Sequence, residues 1–139
     1  WGPVSAFGNL AWVEGRIDQF GNAPDTELRE RPLSKVQPLT GLVGLRWEHE
    51  SGKYWAEVLT TIAGEQAHLS PGDARDTQRI PPGGTPGYVV WTVRGGADLC
   101  ENARATLAVE NFTDRDYRIH GSGQNEAGIN VVVGLDVTF

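Results

Sequence analysis

The sequence predicts an all-β fold, an antiparallel segment of a transmembrane β-barrel, on three observations. The stretch Asn130 to Phe139 alternates, with Val131, Val133, Leu135, Val137 and Phe139 on one face and Asn130, Val132, Gly134, Asp136 and Thr138 on the other. Side chains of a strand point alternately to opposite faces, so this is an apolar ribbon backed by a mostly polar or small one. The chain stops on a bare aromatic, Phe139. Termini fray unless something ties them down, and the last strand of a membrane barrel has reason to end so, with an aromatic in the interfacial girdle. The connections between strands alternate between short and long, which is the asymmetry of outer-membrane barrels.

Period two marks about six strands, each about 10 residues long, the length at which a tilted strand crosses a bilayer. The first runs from about Pro3 to Val13, with Val4, Ala6, Leu10 and Trp12 opposed by Ser5 and Asn9; Phe7 breaks the polar side. The second, about Pro38 to His49, sets Leu39, Gly41, Val43, Leu45 and Trp47 against Thr40, Arg46 and Glu48. In the third, about Lys53 to Ala63, Tyr54, Ala56, Val58 and Ile62 oppose Glu57 and Thr61. The fourth, about Gly87 to Gly96, sets Val89, Trp91 and Val93 against Tyr88, Thr92 and Arg94. In the fifth, about Ala103 to Phe112, Ala105, Leu107 and Val109 oppose Arg104, Thr106 and Glu110, and the terminal strand is the sixth.

Strands two and three meet through His49-Glu50-Ser51-Gly52, and strands four and five through Gly96 to Asn102. The other three connections are long: about Glu14 to Gln37, Gly64 to Pro86 and Thr113 to Gly128. A compact domain seldom holds three structureless loops of that length. In a barrel the short turns lie on the periplasmic side and the long loops outside. Six strands do not close a barrel, because small barrels need about eight. The chain is therefore expected to be a piece of a larger one, and the absence of methionine agrees.

Composition narrows the function. A net charge of −6 on 139 residues argues against a nucleic-acid partner. No apolar stretch approaches the roughly 20 residues of a transmembrane helix, and no signal peptide opens the chain. Cys100 stands alone, which leaves no intramolecular disulfide and no cysteine metal cluster. His49, His68 and His120 lack partners at metal-ligand spacing. Ser122, beside His120, lies in a glycine loop rather than a nucleophile elbow. Gly121-Ser122-Gly123 completes no dinucleotide fingerprint. No catalytic, cofactor or metal site is expected.

The run Leu107 to Tyr117, followed by a glycine-containing loop and the aromatic-terminated strand, resembles the C-terminal end of TonB-dependent outer-membrane receptors. Asn111, Phe112, Thr113, Asp114 and Tyr117 fill the positions of that family's motif. Pro38 and the Arg79-Ile80-Pro81-Pro82-Gly83 segment are also similar to family members. The motif covers the final third of the chain, and the strand rhythm extends the likeness over the rest. The resemblance implies a barrel of about 22 strands around a plug, of which residues 1–139 would be the last six strands, without the plug. It implies energised uptake across the cell outer membrane of a scarce nutrient such as a metal chelate, cobalamin or glycan. It also implies outer-membrane lipid, the remaining strands and plug, TonB (through a region missing here) and the barrel-assembly machinery as partners.

Physical chemistry gives the motif a local role: Asn111 and Asp114 suit turn capping, and Tyr117 suits the membrane interface. Polar loop residues held by a rigid scaffold are where binding usually lives, so the ligand-contact candidates are Arg118, His120, Gln124 and Asn125. The lumen-phase charges Arg46, Glu48, Glu57, Arg94, Arg104 and Glu110 are expected to pair with each other or with a plug. Two other readings use the same strands. One is a soluble carbohydrate-binding module stacking sugars on Trp47, Trp55 and Trp91; the other is a passive porin or adhesin barrel. Phe139, with Val137 and Leu135, would be read by the assembly machinery. Phe139→Ser is therefore expected to lower the yield of folded, heat-modifiable protein in the outer membrane; equal yields would count against the barrel reading.

Overall fold

A computed structural model describes residues 3–20 and 27–139. Its strands are β1 (Val4–Ala11), β2 (Arg16–Phe20), β3 (Leu28–Pro32), β4 (Thr40–Glu48), β5 (Tyr54–Ala63), β6 (Tyr88–Cys100), β7 (Ala103–Glu110) and β8 (Asn130–Val137), with a short 3-10 turn at Asp73–Arg75 between β5 and β6. One six-stranded sheet runs β1-β4-β5-β6-β7-β8, antiparallel throughout, and β2 and β3 form a separate hairpin. All six expected strands are present and lie in chain order. The sheet is open at β1 and β8.

Three details depart from the sequence reading. The first long connection contains the β2–β3 hairpin, whose strands carry Arg16, Asp18, Arg29, Glu30 and Arg31 and show no apolar stripe to reveal them. Residues 21–26, in the middle of that connection, lie outside the described residues. Strand β6 continues past Gly96 to Cys100, through a bulge between Asp98 and Cys100, so Glu101 and Asn102 alone form the turn to β7. Gly96, where that turn was expected to begin, serves packing instead: the Trp55 indole lies across it, where any Cβ would overlap the ring. The last strand ends at Val137, although the Thr138 amide still reaches Asn102 O at 3.0 Å.

The ladder keeps every strand in phase. Ala6, Leu45, Val58, Val93, Val109 and Val131 form one continuous row across six strands. The face containing that row also holds Val4, Leu10, Val43, Trp47, Ile62, Val89, Trp91, Leu107, Val133, Leu135 and Val137, and it carries no charged side chain. Most of its large apolar groups stand exposed along the sheet, and Trp47, Val58 and Val109 are half-buried.

The opposite face holds Arg46, Glu48, Glu57, Arg94, Asp98, Arg104, Glu110 and Asp136. Phe7 belongs to this face, which accounts for the break in the first strand's pattern: its ring covers Gly44, whose missing side chain leaves the space.

Arg46, Glu57 and Arg94 pair with one another across the strands as expected, whereas Arg104 and Glu110 take partners outside the expected set. Glu57 accepts a bond from Arg46 Nη1 at 2.8 Å through Oε1 and one from Arg94 Nε through Oε2. The Arg46 guanidinium also lies 4.4 Å from the Trp55 ring centroid. Arg104 Nε donates to Asp98 Oδ1 at 2.6 Å, and Asn130 Nδ2 donates to Glu110 Oε2 at 2.9 Å. Glu57 alone among these acids is deeply buried, 6 % exposed at its side chain.

Burial is otherwise concentrated away from the sheet. Leu59, Ala63 and Val90, on the charged face near the long-loop end, are buried. Apart from Thr60 of β5, whose Oγ1 donates to Val90 O at 3.2 Å, the rest of the buried set lies in the connections: Gln66, Ser70, Asp73, Ile80, Thr85, Asn111 and His120. Ile80, at 1 % exposure, is the most enclosed large side chain among the described residues. The long loops are thus a packed layer, where sequence length had suggested structureless tethers.

Candidate functional site

The three long connections interlock at one end of the sheet into a cap held by side chains that bond backbone in another loop. Gln66 exchanges backbone bonds with Thr85 at 2.9 and 3.1 Å, and its Nε2 donates to Val36 O at 2.7 Å. Thr85 Oγ1 lies 2.8 Å from His120 Nδ1, and Gln37 Nε2 donates to His120 O at 3.2 Å. Because Val36 and Gln37 are consecutive, these bonds form a closed circuit through all three connections.

A second clasp lies beside it. Asp73 accepts bonds from Ser34 Oγ at 2.6 Å and the Lys35 amide at 3.0 Å, and its own amide donates to Ser70 Oγ at 3.0 Å. Burial pushes the Asp73 carboxyl pKa up, but these hydrogen bonds outweigh it and hold the group below the usual carboxylate range. Gly84, at φ +123°, brings the backbone against Gln66 O so closely that a Cβ would overlap it.

The family-like motif forms the root of the last connection. Asn111 takes φ +48° and Asp114 φ +52°, the left-handed region that Asn and Asp tolerate best after glycine. Asn111, 2 % exposed, uses its whole amide. Its Nδ2 donates to Arg115 O at 2.8 Å and Ala127 O at 3.0 Å, and its Oδ1 accepts the Arg115 amide at 2.9 Å. One side chain thereby joins both ends of the loop. Asp114 Oδ1 accepts the Ile129 amide at 3.3 Å, and the Phe112 amide donates to Trp91 O at 3.1 Å. Thr113 is exposed. Tyr117 packs on Tyr88 with ring centroids 4.5 Å apart; burial, with Glu126 and Glu110 nearby, pushes its phenol pKa up.

The ligand-contact candidates separate into two environments. His120 is 5 % exposed and belongs to the circuit, so it orders the cap and does not meet solvent. Arg118 Nε donates to Asn125 Oδ1 at 2.9 Å, and Asn125 Nδ2 donates to Asp116 Oδ1 at 2.7 Å. Asn125 and Gln124 are exposed, and Arg118 is half-buried. A cleft of about 510 Å³, which sequence reasoning did not find, lies beside the β2–β3 hairpin. Trp12, Leu33 and Val36 contribute apolar walls, and Arg16, Glu65 and His68 contribute polar ones. Its signal was out of reach because its walls come from two connections far apart in sequence, Trp12 to Leu39 and Glu65 to His68. Among the described residues no cluster of three His, Cys, Asp or Glu side chains could hold a metal ion. Trp47 and Trp91 lie on the uncharged face and Trp55 on the charged one, so the three form no single stacking platform.

No family model matches the chain. No curated protein matches it either. Among solved structures it is similar to one titled "Copper transporter OprC", with a TM-score of 0.75 and 21 % identity, covering 98 % of this chain and 21 % of that one. The chain thus spans about a fifth of that protein's length. At this identity the likeness speaks for the fold, an all-β antiparallel segment of a β-barrel wall.

Asn111→Asp tests the root of the last loop. It keeps size and left-handed tolerance, removes both donated bonds, and sets a carboxylate against two carbonyls. Each unsatisfied buried group costs about 1–3 kcal/mol. Protease cleavage within 112–128 should therefore rise by about tenfold or more; an unchanged cleavage rate would remove Asn111 from this role.

Proposed function

We propose that the chain is a wall segment of an outer-membrane, TonB-dependent transporter that imports a scarce nutrient, with its loop cap facing the outside and its short turns the periplasm. The observation that carries this reading is the uncharged, exposed sheet face, continuous over six strands. In water such a surface would far exceed the apolar patch a soluble monomer tolerates, a few hundred Å². In a bilayer it is what a barrel's outer side requires. The charged face would then line a wet lumen.

The open edges at β1 and β8 support membership of a larger barrel. Unpaired backbone amides in hydrocarbon cost several kcal/mol each, so further strands are needed on both sides. The motif from Asn111 to Tyr117 and the likeness to a transporter in solved form support the transporter class. That neighbour's title names copper; for this chain the cargo class is a metal chelate, cobalamin or glycan. Gln124 and Asn125, exposed on the last loop, with Arg118 behind them, are the proposed contacts. A plug, TonB and the barrel-assembly machinery are the partners this reading requires.

Val58 lies in the middle row of the uncharged face. Val58→Arg should cost about 2–4 kcal/mol of stability in bilayers, the penalty of a cation at lipid mid-depth. Val132→Arg, on the charged face, should cost far less. Denaturant titration of the full barrel in lipid vesicles measures both, and equal small losses would overturn the wall assignment. Energisation has a separate test: nutrient uptake by cells producing the full protein should stop when TonB is deleted. Undiminished uptake would instead identify a passive pore.

A further inference from the structure

We propose that His120 makes the three-loop cap sensitive to acid, so that the cap is locked near neutral pH and loosens as its imidazole takes up a proton. The geometry carries this. His120 is the one titratable side chain in the closed circuit of Gln37, Gln66, Thr85 and His120, and it is buried with Thr85 and Gln66. Every other link in the circuit is an amide, a hydroxyl or backbone, none of which changes charge between pH 5 and 8.

The proton's effect is one of charge placement. Nδ1 can keep a bond to Thr85 Oγ1 in either protonation state, accepting from the hydroxyl when neutral and donating to it when charged. Charging the ring therefore breaks no bond by itself; it places a cation in a site closed to water, which burial disfavours. Ionisable groups from each packed connection modify this cost. Asp73, from the middle connection, favours the cation, but its oxygens are already engaged by Ser34 and the Lys35 amide. Lys35, from the first connection, lies beside Gly121 and opposes a second positive charge. Arg118, two residues along the same loop, and Arg79, packed at Gly123, are positive as well. Glu65 and His68 flank Gln66 and are exposed.

Burial wins over Asp73, and the His120 pKa falls below its ordinary value. The sign follows by linkage: the open cap binds the proton more readily than the closed one. The contribution to closure is complete above about pH 6.5, the pKa of a free imidazole, and is lost as pH falls towards the lowered value. One imidazole can change the closing equilibrium by at most about tenfold between about pH 7.5 and 5.5.

The test is amide hydrogen exchange on the full membrane protein, with protection factors normalised to the intrinsic rate at each pH. Wild type should lose several-fold protection across 33–39, 64–87 and 111–129 together between those pH values, while β4 to β7 stay constant. His120→Asn retains a polar partner for Thr85 without the titration, and its cap should show the same protection at both. Equal wild-type protection at the two pH values, or an equal fall in His120→Asn, overturns the proposal. If the variant fails to assemble, a histidine-selective NMR titration of wild type decides. A His120 midpoint below 6.5 supports the mechanism, and one at or above 6.5 overturns it.

Discussion

Glu57 sets the register on which the rest of the sheet depends. It stands on the middle of three adjacent strands and binds Arg46 on one side and Arg94 on the other. A slip of one residue in either pairing would separate these partners. Because the side-chain period is two, the same slip would turn a whole strand over and carry its charges to the apolar side. A buried ion cluster contributes little net stability compared with an apolar one, but removing one partner is severe because it leaves a charge unpaired. The Glu57 cluster therefore acts mainly by making wrong registers costly. The unbroken row from Ala6 to Val131 is the visible result.

Above this wall, the cap follows another logic. Its order comes from side chains that replace the backbone partners a ladder would supply. Gln66 and Asn111 each bond backbone groups across a loop or between loops. Buried loop backbone must find such partners, since unpaired polar groups away from water are rare. The positive φ values at Lys35, whose amide Asp73 holds, and at Asn111 and Asp114 put backbone in conformations that most residues avoid.

The strands were legible in the sequence because period two is a local property: Leu39 to Trp47 and Val131 to Val137 announce their faces without reference to any partner. Phe7 looked like an error in the pattern until Gly44, 37 positions away, accounted for it. The β2–β3 hairpin left no signal because its short strands mix charged and apolar residues on both faces. The capping chemistry of Asn111 could be anticipated from residue type, but its bond to Ala127 could not. The His120 circuit was least legible, since it joins Thr85 to a residue 35 positions away and Gln37 to one 83 away. Such contacts depend on which loops the sheet brings together.

The inverted distribution of burial has a consequence for how such a chain could be re-engineered. Outside the Glu57 cluster and the Phe7 and Trp55 contacts, the wall has few side-chain neighbours to satisfy, so an outer strand such as β8 is exchangeable with another of matching phase and length. The cap has the jigsaw demands of a protein interior. A single loop transplanted from another barrel would arrive without its half of the Gln37, Gln66, Thr85 and His120 bonds. The practical unit of grafting is therefore the trio of loops, moved as a block.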